Sequence, residues 1–153
     1  MEKFLENLQE AQKIVKTIDH LFYITLPLIK DKRLLIKIIT EAKNATTNCI
    51  NAILQYEYLY KRIDLYKDPK ANFHLFLKKC APRYKINSEE TDLLLELFEV
   101  VEKHKQSASE FIREDKLIIL SENLRTEAIT LERTKEFLNL SKSILKKTLE
   151  QLN

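Results

Sequence analysis

The chain holds 153 residues, 44% of them hydrophobic and 32% charged, and it contains no glycine, where about ten would be ordinary at roughly 7% usage. Without glycine, phosphate-cradling loops, dinucleotide fingerprints and nucleophile elbows are excluded in their usual forms, and tight hairpins are disfavoured. A net charge of +3 is too small to imply a nucleic-acid partner by itself.

From Glu2 to about Tyr23 the apolar residues Phe4, Leu8, Ala11, Val15, Ile18 and Phe22 recur every three or four positions. This predicts an amphipathic helix. It should end near Thr25–Leu26, because Pro27 disfavours helical geometry in the residue before it. Asp31 is the expected N-cap of a second helix. Its seam of Leu35, Ile38, Ala42, Ala45, Cys49, Ala52, Tyr56, Leu59, Ile63 and Tyr66 predicts a rod over Lys32–Tyr66, about 50 Å long at 1.5 Å per residue. A second stripe runs beside it through Ile39, Ile50, Ile53 and Tyr60. The middle of the seam is small, so a partner helix can approach closely and this helix is expected to be the axis of the fold. Thr46, Thr47, Asn48 and Asn51 form a polar waist in the same turns, and such groups need partners when buried. Tyr56, Tyr58, Tyr60 and Tyr66 cannot all face inward, which leaves at least one tyrosine exposed.

Asp68 and Pro69 end the rod, and a short helix is expected around Asn72–Cys80, stopped by Pro82. Ser88 is read as the cap of the next helix, with Leu94, Leu97, Val101 and His104 as its inner row. Ser109–Arg113 reads as one further helical turn or two. The period then changes. Segments 116–120 and 124–129 are β-rich around a polar turn in which Asn123 can take a left-handed conformation. Thr130 caps the last helix, Leu131–Leu152, whose inner row is Leu138, Ser141, Leu145, Thr148 and Leu152. The expected fold is mainly α: one domain over 1–153, an antiparallel four-helix bundle with a short extra helix and a small β-hairpin before the last helix.

No apolar run approaches the ~20 residues of a membrane span, the N-terminus lacks a signal-peptide core, and Cys49 and Cys80 read as reduced thiols. A soluble, cytoplasmic protein with no membrane partner is expected. The spacing that puts two metal ligands on one helical face, Glu three residues before His, is absent at His20, His74 and His104, and neither cysteine has a C-x-x-C partner. No catalytic residue, metal or cofactor is therefore assigned.

Charge is unevenly spread. Residues 68–87 carry five basic and one acidic side chain, whereas 88–115 carry three and nine. Lys78, Lys79, Arg83 and Lys85, interleaved with Phe76 and Tyr84, form one basic cluster; His104, Arg113 and Lys116 belong to a second. Such residues neutralise phosphates while aromatics stack on bases. The plainer reading is a solvated surface that also complements the acidic segment.

The segments Leu26-Pro27-Leu28-Ile29-Lys30-Asp31, Lys79-Cys80-Ala81-Pro82-Arg83-Tyr84-Lys85-Ile86, His104-Lys105-Gln106-Ser107 and Glu110-Phe111-Ile112-Arg113 resemble motifs of uncharacterised all-helical archaeal proteins, a likeness that implies no activity. More distantly, the two long helices resemble the nucleotide- and RNA-associated HEPN bundles. Catalytic members of that class carry an Arg four to six residues before a His. No Arg stands at that distance here, the nearest before His74 being Arg62, so the resemblance implies binding without nuclease chemistry. The expected function is a non-catalytic protein-interaction module, contacting a protein partner or a second copy. The alternative is RNA or nucleotide binding through Lys78, Lys79, Arg83, Lys85, His104, Arg113 and Lys116.

Overall fold

In the computed structural model, residues 2–113, 116–121 and 126–152 are described; for 107–113, 121, 126 and 127 the description is of the backbone alone. The order along the chain is α1 (Lys3–His20), a π-helical turn (Leu21–Thr25), α2 (Leu26–Ile29), α3 (Leu34–Leu59), α4 (Pro69–Leu75), a second π-helical turn (Phe76–Cys80), α5 (Ser88–Lys105), β1 (Ser107–Arg113), β2 (Lys116–Ser121), β3 (Thr126–Ile129) and α6 (Leu131–Leu152). The architecture is the mainly helical bundle with a short extra helix and a β-hairpin that the hydrophobic periods predict.

The small waist of α3 sets the packing. Ala42, Ala45, Cys49 and Ala52 have no exposed surface, and they allow α6 to lie against α3. The two helices run the same way, because Lys32 and Leu131 share one cleft while Cys49 and Thr148 meet further along. Helices α1 and α5 each pack against both, so α3 is the axis. Four buried hydroxyls, on Thr46, Thr134, Ser141 and Thr148, each donate to a carbonyl three or four residues back in the chain. That satisfies them within their own helices, and the Thr148 hydroxyl also meets the Cys49 thiol across to α3.

Pro27 alters its helix rather than ending it, whereas the short helix stops at Cys80, ahead of Pro82 as expected. The first helix was expected to stop near Leu26, but it continues through the π turn into α2. Pro27 has no N–H to give the Tyr23 carbonyl, and its ring crowds that oxygen. The widened turn relieves the clash: the Leu26 N–H reaches back to the Leu21 carbonyl, and Leu26 keeps helical angles of −60° and −45°. The same device precedes Pro82, where the Ala81 N–H donates to the Phe76 carbonyl at 2.9 Å. The short helix starts earlier than Asn72, because the Asp68 carboxylate caps it at the Lys70 N–H and Pro69 suits its first turn.

Other boundaries also move. The rod ends at Leu59 rather than Tyr66, since Lys61 turns left-handed there; Ile63 still packs on the core from the connecting loop, which is why the apolar period runs past the helix. The N-cap of α5 is Asn87, not Ser88, and it forms a reciprocal capping box with Glu90. Asp31 caps the turn before α3 by accepting the Arg33 N–H at 2.9 Å. Thr130 caps α6 as expected, accepting from Arg133. Segment 109–113 is strand, not helix: β1 pairs antiparallel with β2, and β2 with β3, in the order β1-β2-β3. Alternation through Leu117, Ile119 and Ile129, all buried, makes an extended ribbon the better way to bury one face. The predicted hairpin is β2–β3, and the turn position Asn123 lies outside the described residues.

Among the described residues, positive φ occurs at three positions, all lysine: Lys30 at 59°, Lys61 at 60° and Lys85 at 61°. Each follows a helical end where glycine is the usual choice. Lys30 donates to the Leu26 carbonyl at 2.8 Å. Lys61 and Lys85 sit in Schellman motifs, closed by Arg62 N–H to Glu57 carbonyl (2.9 Å) and Ile86 N–H to Ala81 carbonyl (2.9 Å).

Candidate functional site

The structure divides the basic residues singled out in the sequence. Lys78 and Lys79 are exposed on the second π turn and Lys85 is exposed at its left-handed position. His104 is half-buried in the last turn of α5, and Lys116 is exposed at the start of β2. Arg113 faces Lys116 in the strand ladder, but its side chain lies outside the described residues. The first group precedes α5 and the second follows its last turns, so a helix of 18 residues, about 27 Å at 1.5 Å per residue, lies between them. The two groups do not converge on one surface.

Phe76 and Tyr84, read as aromatics available for stacking on bases, are buried at 0% and 2% exposure; they belong to the core. Arg83 is engaged by Glu57, its Nη1 lying 3.3 Å from Oε1. The acidic α5 is matched mainly by α6 rather than by residues 68–87: Glu90 pairs with Lys147 and Glu96 with Arg133. Lys147 also donates to the Lys85 carbonyl at 2.8 Å.

Glu57 was not foreseen. It is buried to 2% exposure near the end of α3 and holds Arg62 at 2.7 Å as well as Arg83. Its position continues the second apolar stripe, between Ile53 and Tyr60, as a charge among hydrophobes; that break in pattern was the available signal. Burial pushes the neighbouring Cys80 thiol up to about 11, with the Glu57 charge adding to it. Burial and then Glu57 also push the Tyr84 phenol up, and the hydrogen bond that Arg62 donates to Glu57 raises Arg62. The cluster holds its thiol and phenol protonated at neutral pH, which suits a structural latch between α3 and the 81–86 turn rather than nucleophilic chemistry.

Two clefts are better placed to meet a partner. The first, about 740 Å³, opens beside Pro27 and is lined in part by Tyr23, Leu26 and Leu131, together with Lys30, Lys32, Lys135 and Glu132. Around it Tyr23, Ile24, Leu28 and Ile29 are 43%, 51%, 79% and 61% exposed. The second, about 680 Å³, lies between α3, α4 and α5. Lys43, Thr47 and Asn51 stand four residues apart on one face of α3, and Lys70, Phe73 and His74 come from α4. Phe98 of α5 completes it, its ring centroid 5.3 Å from that of Phe73. The α4 wall is fixed by Asn72, whose amide accepts from the Tyr66 N–H at 2.7 Å and donates to its carbonyl at 2.9 Å. The polar waist is thus split: Thr46 and Asn48 bond carbonyls of their own helix, while Thr47 and Asn51 face this cleft.

No protein-family model matches the chain, and no curated protein or solved structure is detectably similar to it. Among the described residues no cluster of His, Cys, Asp and Glu is arranged to hold a metal ion, and no helix is long and apolar enough to cross a membrane.

Proposed function

We propose that this protein is a non-catalytic interaction module whose contact surface is the apolar end around Pro27. The observation that supports it is the exposure of Leu28 and Ile29, 79% and 61%, beside Ile24 and the Tyr23–Leu131 cleft. Contiguous apolar surface of this kind on a water-facing protein marks a contact site. Three lysines against one glutamate in the cleft lining favour an occupant with an apolar face flanked by carboxylates. The test places a photo-crosslinking residue at position 28 in the full chain, alongside size-exclusion with light scattering. A crosslink to a second copy or to a specific protein, lost on Ile24→Asp, supports the reading. A strict monomer that captures nothing overturns it.

A second reading, an RNA- or nucleotide-binding protein of HEPN-like type without the nuclease motif, draws support from Lys78, Lys79 and Lys85, whose ammonium groups are exposed and have no carboxylate partner among the described residues. Filter binding then falls steeply with salt; no retention at low ionic strength ends it.

A further inference from the structure

The cleft between α3, α4 and α5 has a lining of a different kind from the Pro27 surface. Two lysines and a histidine stand on its walls with no carboxylate among its lining residues, and two phenylalanine rings provide apolar surface. Among the described residues, Thr47, Asn51 and His74 spend no side-chain hydrogen bond on the protein itself, so their capacity is available. Lys43 lies with its ammonium 5.8 Å from the Phe98 ring centroid. Its pKa is lowered by burial and then by the nearby Lys105 charge, with Glu102 acting the other way. An anion seated here would relieve the crowding of two ammonium groups, and a flat ring has Phe73 and Phe98 to lie against.

We propose that this cleft binds a small aromatic anion, a planar ring carrying a phosphate or a carboxylate, with the ring against Phe73 and Phe98 and the charged group held by Lys43 and Lys70. Thr47 and Asn51 orient the ligand by hydrogen bonding. The volume lies within the ordinary range for small-molecule sites. The proposal stands independently of the contact surface at Pro27.

The test is an NMR titration of the ¹⁵N-labelled full chain with phenyl phosphate, with benzoate and with neutral benzyl alcohol. Fragments of this size bind in the range of roughly 1–10 mM. At least one of the two anions shifts the amides of 43–51 and 70–74, at least about tenfold more tightly than the alcohol and more weakly as salt is added. The tighter of the two identifies the charged group. Lys43→Gln and Lys70→Gln, at positions outside the core, each weaken that binding several-fold while leaving the thermal midpoint in place. Four results overturn the proposal: equal binding of the alcohol, shifts that map elsewhere, wild-type affinity in both variants, or no response at about 20 mM.

Discussion

Glu57 and Arg62 are joined twice: the Arg62 guanidinium meets the Glu57 carboxylate at 2.7 Å, and the Arg62 N–H meets the Glu57 carbonyl at 2.9 Å. One bond closes the end of α3 and the other satisfies a carboxylate that has almost no contact with water. Removing Arg62 leaves the buried carboxylate with Arg83 alone, 3.3 Å away, and taking one partner from a buried charge is costly. Arg62→Met therefore destabilises the protein in urea unfolding, and Glu57→Met introduced beside it restores part of the loss. Simple additivity of the two single changes would contradict the pairing.

The waist of α3 is predicted to reject bulk. Ala45→Leu inserts a branched side chain where exposure is 0% and α6 lies close, and overpacking of this kind costs about 1–3 kcal/mol. The matching change at an exposed position of the same helix, Asn44→Leu, shifts the unfolding midpoint far less. Comparable midpoints for the two variants would show that the α3–α6 contact is loose.

Acid should weaken the join between α5 and α6 through Glu90. Burial alone would raise its carboxyl, but hydrogen bonds from Lys147, Ser143 and the Asn87 backbone hold it below the ordinary value. A carboxyl lowered in the folded state contributes stability that is complete above its unfolded pKa, about 4.3. That contribution is lost as pH falls through the folded value. Unfolding midpoints measured from pH 6 downward decline in the wild type, and Glu90→Gln starts lower at pH 6 and declines less.

Both thiols are predicted to be silent in the native protein. Burial pushes Cys49 up to about 12 and Cys80 up to about 11. A disulfide reagent at pH 8 labels neither at an appreciable rate until urea is added, after which both react. Fast labelling of a single thiol in native buffer would show that the 76–84 turn opens.

The left-handed lysines carry a conformational cost of roughly 1–2 kcal/mol each that glycine would avoid, offset by glycine's greater loss of freedom on folding, about 0.5–1 kcal/mol. Lys61→Gly is predicted to raise stability by about 0.5 kcal/mol, read from urea unfolding at moderate salt, and Lys61→Ala to give no such gain.

The helical plan was legible because seam residues such as Leu8, Ala11, Ile38, Ala45 and Leu138 follow one period and are all buried. The ends were legible only in part. The short helix stops at Cys80 ahead of Pro82 and the last helix spans Leu131–Leu152, both as read, but a change of one residue in hydrogen-bond reach carries the first helix past Pro27. At the end of α3, Ile63 keeps the period while the backbone has already left the helix, since periodicity records burial and not backbone geometry. The third strand was missed because Ser109–Arg113 carries only two apolar residues, too few to separate a period of two from one of 3.6. The clefts depend on which faces α4 and α2 present to their neighbours, and that is set by turns whose geometry no local spacing encodes.

The lysines at 30, 61 and 85 have a further effect. Each places a positive charge where the aligned peptide dipoles of a helical segment leave a partial negative charge, an attraction of about 0.3–1 kcal/mol that dissolved ions weaken. A chain that forgoes glycine thus ties the security of its corners to ionic strength: in concentrated salt the bent geometry remains while its electrostatic compensation fades, and fraying should begin there.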